Sequence, residues 1–214
     1  MSEFSVSRIV PSTRDLFDAL STRRKSLALI PRIDGNTSEE IRRHALRLDS
    51  IDVRAFARSA ADAATQELAR STNSIPTLCT SEVTNAEDCQ RARFFGADGI
   101  VIRADGNASW QTLSKTAQSM RMMAVGVVSS DETAALLLDS GARAILLRAS
   151  SSAELLRLAE AAKGAALLLA DLIPNGLGDE EDLHALLGKV DAALVPETLH
   201  AGSRFEDLQD KLDG

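Results

Sequence analysis

The chain alternates between short apolar runs and longer stretches that have the period of an amphipathic helix. The apolar runs are rich in Val, Ile, Leu and Ala and predict buried strands, and the Ala-, Leu-, Arg- and Glu-rich stretches between them predict helices. The segment 11–20 predicts an extra helix ahead of the first strand. We predict eight strands, at 26–33, 50–56, 75–79, 99–103, 122–128, 143–148, 165–170 and 191–195.

Capping residues support this alternation independently. Thr37 and Ser130 each precede an acidic stretch, as expected for the N-cap and first turn of a helix. Gly96, Gly141 and Gly164 fall where a helix must end in a left-handed residue before the next strand begins. The helices therefore begin and end where the apolar pattern predicts.

Eight strand–helix units in 214 residues leave little chain for long loops. We therefore predict a single domain, residues 1–214, with the fold of a compact (β/α)8 TIM barrel and short βα loops. A doubly wound open sheet is the alternative. No glycine-rich phosphate or dinucleotide fingerprint follows any predicted strand, which weakens that alternative.

Composition narrows the classes of partner. The 24 basic and 31 acidic side chains give a net charge of −7, which argues against a nucleic acid or an anionic membrane as partner, although a local basic pocket stays possible. Cys79 and Cys89 are the only cysteines, and no signal peptide is visible, so we expect reduced thiols and a cytoplasmic location. The three scattered histidines have no metal-ligand spacing, so neither a metal nor a cofactor is expected.

Five fragments, LALIPRI, IPTLC, GADGIVI, SGARAILL and VDAALVPETL, occur in an order and spacing that resemble a known family. They are similar to strands one, three, four, six and eight of indole-3-glycerol phosphate synthase, the (β/α)8 enzyme of tryptophan biosynthesis. The resemblance extends from about Asp15 to Leu199. It implies a lyase that closes and decarboxylates a phosphorylated anilino-deoxyribulose. It also implies lysines, glutamates and an asparagine at the strand ends, and backbone amides near strands seven and eight that hold the phosphate.

The chain departs from this family at the positions that carry its reaction. Thr80 stands where the family has a catalytic lysine after the third strand, with Ser81 and Glu82 behind it. Pro196 replaces a glycine whose amide would face the phosphate, and proline has no amide hydrogen. The family's catalytic positions are occupied here by Arg32, Asp34, Thr80, Val127, Arg148 and Asp171.

No lysine falls at the end of a predicted strand. Ring closure with loss of carboxylate and water needs a proton donor whose pKa can be tuned, and arginine cannot meet this need because it stays charged. The sequence therefore argues against catalysis of the family reaction without excluding it. The five lysines are Lys25, Lys115, Lys163, Lys189 and Lys211.

Charged residues of both signs meet at the predicted carboxyl ends of the strands, and His200 follows the last of them. The acids are Asp34, Glu82, Asp105, Asp171 and Glu197. One interpretation is a mouth that binds a carboxylate or phosphate, since guanidinium groups bind such anions in a bidentate way. The other is an internal ion-pair network that fills the mouth. The candidates for anion binding are Arg32, Arg54, Arg103, Arg148, Glu197 and Thr198.

Two hypotheses about function follow from these residues. The first is a non-catalytic paralogue of the synthase that binds a small anion or another protein, or self-associates through its helical exterior. The second is a repurposed or still active lyase that acts on an anionic small molecule. Trp110 and the segment 120–125 are expected either to pack between helix and barrel or to form part of a subunit interface.

Overall fold

The computed structural model describes residues 4–21, 27–35, 37–51, 53–72, 74–174, 180–200 and 204–213. In this part of the chain eight parallel strands alternate with helices, which confirms the predicted (β/α)8 barrel. The strands are β1 (Ala28–Pro31), β2 (Phe56–Arg58), β3 (Thr77–Val83), β4 (Gly99–Ile102), β5 (Met123–Val128), β6 (Ala144–Arg148), β7 (Leu167–Asp171) and β8 (Ala192–Val195).

A short 3-10 helix, Val6–Arg8, precedes ten α-helices in the described residues. None of the described helices is long and apolar enough to cross a membrane. The α-helices are α1 (Leu16–Ser21), α2 (Ser38–Asp49), α3 (Ala63–Ser71), α4 (Ala86–Phe94), α5 (Asn107–Ser119), α6 (Asp131–Asp139), α7 (Ser152–Ala161), α8 (Glu180–Leu186), α9 (Glu197–His200) and α10 (Arg204–Asp213).

The strands form a nearly closed ring. Hydrogen-bonded neighbours follow the order β1-β8-β7-β6-β5-β4-β3-β2, and the two ends of this order also meet. A parallel bridge joins Arg32 to Ala57, and the amide of Ile33 donates to the carbonyl of Ala57 at 3.0 Å. The first and last strands of a doubly wound open sheet do not meet, so that alternative is wrong.

The predicted caps are present. Thr37 and Ser130 are the N-caps of α2 and α6. In each helix the side chain of the residue three positions later, Glu40 or Thr133, accepts a hydrogen bond from the backbone amide of the N-cap. Gly96, Gly141 and Gly164 have φ angles of 96°, 75° and 126°, the left-handed region that favours glycine. The extra helix α1 begins at Leu16, later than predicted, because Ser12 and Arg14 bind Asp98 instead of joining the helix.

The interior of the barrel is filled by small and branched side chains from all eight strands, among them Ile30, Val101 and Leu146. Leu16 and Leu20 of α1 close this core at the amino-terminal end of the barrel. A Cβ on Gly99 would lie 2.4 Å from Leu16 Cδ2, so α1 packs directly on the start of β4. The opposite face of each strand packs against the surrounding helices.

A fully buried carboxylate, that of Asp98, organises the amino-terminal end. It accepts hydrogen bonds from Ser12 Oγ at 2.6 Å and from the amide of Thr77 at 2.9 Å. Arg93 and Arg14 approach it at 2.9 Å and 2.7 Å. Arg14 also donates to the carbonyls of residues 69, 75 and 96. This network holds the segment before α1 against the barrel.

One predicted strand was misplaced. Residues 50–56 were expected to form the second strand, whereas β2 runs from Phe56 to Arg58 and pairs with β3 through Phe56 and Thr77. Val53 and Ala55 are buried like strand residues, but they precede the ladder. Arg54 therefore lies before β2 and not at its carboxyl end. The other strands begin and end close to the predicted limits, except β3, which continues to Val83.

Removal of the Asp98 carboxylate is expected to destabilise the fold strongly. In Asp98→Ala, Arg14 and Arg93 keep their charges at the buried end of the barrel without a counter-ion, which costs about 3 to 5 kcal/mol of unfolding free energy. Urea unfolding followed by circular dichroism measures this loss. The exposed Asp105 provides a matched control, since Asp105→Ala should change the unfolding free energy by less than about 0.5 kcal/mol. Equal stabilities for the two variants would contradict the structural role of Asp98.

Candidate functional site

The carboxyl ends of the strands surround one opening, the face where barrel enzymes carry their active sites. Charged side chains from six strand ends reach this opening. Two groups can be distinguished. We call the first, Glu82, Arg103, Arg148 and Asp171, the mouth network, and the second, Arg32, Asp34, Arg58 and Asp62, the β1–β2 cluster.

A bulge in β3 determines how Glu82 is presented. Pairing with β4 passes from Cys79 opposite Ile100 directly to Glu82 opposite Val101, so Thr80 and Ser81 are extra residues in β3. The Thr80 hydroxyl donates to the carbonyl of residue 58 at 3.1 Å, and Ser81 Oγ lies 3.2 Å from Cys79 Sγ. Both hydroxyls are thus bound locally, and the carboxylate is the group that the bulge delivers to the mouth.

Arg148 is the centre of the mouth network. Its Nε donates to Asp171 Oδ2 at 3.0 Å, and its Nη1 donates to Glu82 Oε1. Arg103 Nη1 lies 3.2 Å from the second oxygen of Glu82. Arg148 and Asp171 sit in register on adjacent strands, but β4 and β5 separate β6 from β3. The bond between Arg148 and Glu82 therefore crosses the mouth.

Burial makes these pairings necessary. Asp171 is 3% exposed, and its other oxygen accepts a hydrogen bond from the amide of Ile173 at 3.2 Å. A carboxylate so buried is costly without an opposite charge beside it, and Arg148 supplies that charge. The side chains of Arg148 and Glu82 are each 26% exposed, so solvent reaches their pair.

The β1–β2 cluster is also internally paired. Arg32 forms an ion pair with Asp34, and Arg58 lies 3.8 Å from Asp34 and 3.5 Å from Asp62. Arg58 is buried and donates to the carbonyl of Ile33 at 2.9 Å. Sequence reasoning missed Arg58 because it placed the second strand too early. The sequence feature that could have identified it is the arginine that follows the apolar residues Phe56 and Ala57.

The remaining predicted residues do not join these groups. Val127 is partly buried and packs against the barrel core. Glu197 lies 3.0 Å from His44, while Thr198 is exposed on α9. Asp105 is exposed beyond β4, and Arg54 precedes β2. Of the six anion-binding candidates, the structure brings Arg103 and Arg148 to one carboxylate and places Arg32 in the neighbouring cluster.

The described lysines all lie away from the carboxyl ends of the strands, as predicted. Lys115 is on α5 and Lys211 on α10, while Lys163 and Lys189 precede β7 and β8. Lys25 lies outside the described residues. The opening therefore contains no ammonium group from the part of the chain that the structure describes.

The two thiols are unsuited to nucleophilic chemistry. Cys79 on β3 and Cys89 on α4 are both free and buried. Burial raises the pKa of the Cys79 thiol and raises that of Cys89 to about 11, so neither is a thiolate near neutral pH. Among the described residues, no three potential ligands are grouped to hold a metal ion.

His200 is a buried neighbour of the β1–β2 cluster. Its Nε2 lies 2.8 Å from the carbonyl oxygen of Arg32, which can only accept, so Nε2 carries the proton. Its Nδ1 is buried without a hydrogen-bond partner among the described residues. Burial lowers the pKa of His200, which agrees with this geometry, because a second proton on Nδ1 would have no acceptor.

The barrel and its opening together define a class of protein, a (β/α)8 barrel in which the arginines of the mouth network and of the β1–β2 cluster are paired with the chain's own carboxylates. These arginines are Arg32, Arg58, Arg103 and Arg148. No protein-family model matches the chain, and no curated protein shows significant sequence similarity to it.

Loss of Arg148 is expected to expose the unfavourable burial of Asp171. Arg148→Met should lower the unfolding free energy by about 2 to 3 kcal/mol, less than for a fully buried pair because Arg148 reaches solvent. Adding Asp171→Asn should recover most of this loss, since the uncompensated charge disappears. Urea unfolding of both single variants and the double variant measures the coupling. If the two effects simply add, the pair is not coupled.

The lowered pKa of His200 predicts a dependence of stability on pH. As the pH falls below about 6.5, the unfolded chain takes up a proton at this position before the folded chain does. The unfolding free energy should therefore decrease from about pH 6.5 downward to the folded pKa, and His200 should add no slope above about pH 7.

Urea unfolding at a series of pH values tests this with His200→Gln. The stability advantage of the wild type over this variant should shrink as the pH falls. His184→Gln is the matched control, because it makes the same substitution at an exposed position on α8. Parallel profiles for the wild type and His200→Gln would contradict the prediction.

Proposed function

We propose that this chain is an indole-3-glycerol phosphate synthase-like barrel that has lost the family reaction and acts as a non-catalytic binding or interaction protein. The observation that carries the proposal is the position of Arg148, which binds Asp171 on the adjacent strand and Glu82 across the mouth at once. A substrate phosphate or carboxylate would have to displace Glu82 from this arginine and leave it paired with the exposed Arg103 alone.

The chemistry of the opening supports the same proposal. The family reaction needs groups that give and take protons near neutral pH. The opening presents guanidinium groups, which do not release protons in this range, and carboxylates held in ion pairs. The hydroxyl of Thr80, at the position of the family's lysine, is bound to a backbone carbonyl. None of these groups replaces a proton donor of tunable pKa.

A protein partner or a second copy would bind through the helical exterior. Three large apolar side chains are exposed in the described residues, Val6, Val10 and Leu46. Such a surface favours a partner held mainly by polar contacts, as in non-obligate interfaces.

The decisive experiment supplies the family substrate, the phosphorylated anilino-deoxyribulose, and follows indole formation by fluorescence. No product above the uncatalysed rate is expected from the wild type. Product formation that disappears in Asp171→Ala, but persists in the surface variant Glu87→Ala, would overturn the proposal.

Binding to the mouth is tested separately by thermal shift with indole-3-glycerol phosphate. The wild type should not be stabilised through the mouth. Glu82→Gln leaves Arg103 and Arg148 without their shared carboxylate and should gain a ligand-dependent rise in Tm, because a ligand specific for the folded state stabilises it by mass action. Arg143, which directly precedes β6 at the opposite end of the barrel, provides the control. A rise in the Tm of the wild type that is lost in Arg148→Met but kept in Arg143→Ala would show that the wild-type mouth binds the ligand, against the proposal.

A second candidate function is a repurposed lyase for another anionic small molecule. Solvent access favours it, since the Arg103 side chain is 62% exposed and Glu82 is 26% exposed. If Glu82 turned outward, two guanidinium groups would face an incoming anion beside the carboxylate of Asp171. Conversion of such an anion by the wild type, but not by Arg148→Met, would favour this function over the first.

A further inference from the structure

A second concave site lies on the amino-terminal face, opposite the mouth. Its volume is about 730 Å³, within the range of pockets that bind small molecules. The segment 12–17, helix α5 and the first residues of β5 and β6 form its walls. The Asp98 network fixes one wall through Ser12 and Arg14, so the cavity is bounded by anchored backbone.

Unpaired positive charge distinguishes this cavity from the mouth. Lys115, Arg121 and Arg143 all line it, and none of the three has a carboxylate partner in the described part of the chain. Arg14 also lines the cavity, but Asp98 neutralises it. Asp15 is the single acid of the described lining. In a chain of net charge −7, such a concentration of unpaired cations creates a local attraction for anions.

Apolar and aromatic groups form the rest of the lining. Phe17, Trp110, Met122 and Met123 contribute to it, and the guanidinium carbon of Arg143 lies 4.2 Å from the centroid of the Phe17 ring. This stacking orients Arg143 without consuming its hydrogen-bond donors. Trp110 packs between α5 and the barrel, as one of the two sequence interpretations expected.

The backbone at Arg121 gives an independent indication. Five described residues have φ in the left-handed region that favours glycine, and four of them are the glycines Gly96, Gly141, Gly164 and Gly188. Arg121 is the fifth, with φ of 56°, at the turn between α5 and β5. A side chain in the left-handed region is unfavourable, so glycine would be the easier residue there. The chain nevertheless places a cation at this point of the cavity wall.

We propose that this cavity binds a small organic anion, in which a carboxylate or phosphate group is joined to an apolar or aromatic body. Lys115, Arg121 and Arg143 bind the charged group, and Phe17 and the methionines contact the body. The site is independent of the mouth and of its proposed loss of catalysis.

Tryptophan fluorescence offers a direct test, because Trp110 is the one tryptophan and the chain has no tyrosine. Titration with phenyl phosphate, excited at the red edge of tryptophan absorption, should give a saturable change with a Kd of about 1 mM or lower. Arg143→Ala and Lys115→Ala should each weaken binding about tenfold, in line with the loss of one charge-assisted contact. Lys163→Ala, which removes an exposed cation elsewhere, should leave the Kd unchanged.

Phenol and benzoate separate the parts of the ligand. Benzoate should bind and phenol should not; equal binding of phenol would overturn the assignment of an anion site. The absence of a saturable change with phenyl phosphate up to about 10 mM would overturn it as well. So would a Kd that both cavity substitutions leave unaltered. Arg148→Met, which removes the central cation of the mouth, should leave the Kd for phenyl phosphate unchanged, and this keeps the test separate from that of the proposed function.

Arg121→Gly provides a second test that separates binding from folding. Glycine relieves the left-handed backbone, so the ligand-free variant should melt at the same temperature as the wild type or higher. Its Kd for phenyl phosphate should nevertheless rise several-fold because a cation is lost. A variant with unchanged Kd would show that Arg121 serves only the turn and would contradict its role in the site.

Discussion

The structure depends on one constraint, that eight parallel strands in a nearly closed ring must all end at the same face. Six of these ends carry charged side chains, and the barrel core beneath them is apolar. A charge in this position is tolerated only when an opposite charge meets it at hydrogen-bonding distance. Arg148 meets this requirement for Asp171 on the adjacent strand and for Glu82 across the opening. The ion pairs at the mouth therefore compensate the desolvation of the barrel's own charged side chains, whether or not a ligand binds there.

At the amino-terminal end, buried charges are also compensated by ion pairs, but around one carboxylate, that of Asp98, and not around two as with Glu82 and Asp171 at the mouth. Asp98 is fully buried and is satisfied by a hydroxyl, an amide and two guanidinium groups. Because Ser12 and Arg14 belong to the segment before α1, this carboxylate fixes the helix that closes the core. It also fixes one wall of the cavity beneath the barrel. The same four contacts thus connect the packing of the core to the shape of the proposed binding cavity.

The periodic pattern of the sequence predicted the barrel, its helix caps and most strand limits, because burial and capping are local properties of the chain. It misplaced β2, since Val53 and Ala55 are as buried as strand residues without joining the ladder. Because of that error, Arg54 was wrongly predicted to lie at the mouth, and Arg58 was not predicted to lie there. The bulge at Thr80 and Ser81 was also out of reach, because it appears only when β3 pairs with β4. The cavity was not predicted, because its walls come from segments distant in sequence.

The two faces of the barrel differ in how their positive charges are used. Each arginine of the mouth network and of the β1–β2 cluster has an acid within ion-pair distance. An incoming anion therefore competes with a carboxylate that the fold already holds in place. On the opposite face, cations line a cavity whose described lining contains one acid. An anion there displaces water and not a tethered carboxylate, so its binding leaves no charge of the protein unpaired. In this molecule the electrostatic advantage for a ligand therefore lies at the amino-terminal face, although barrel enzymes place their sites at the other.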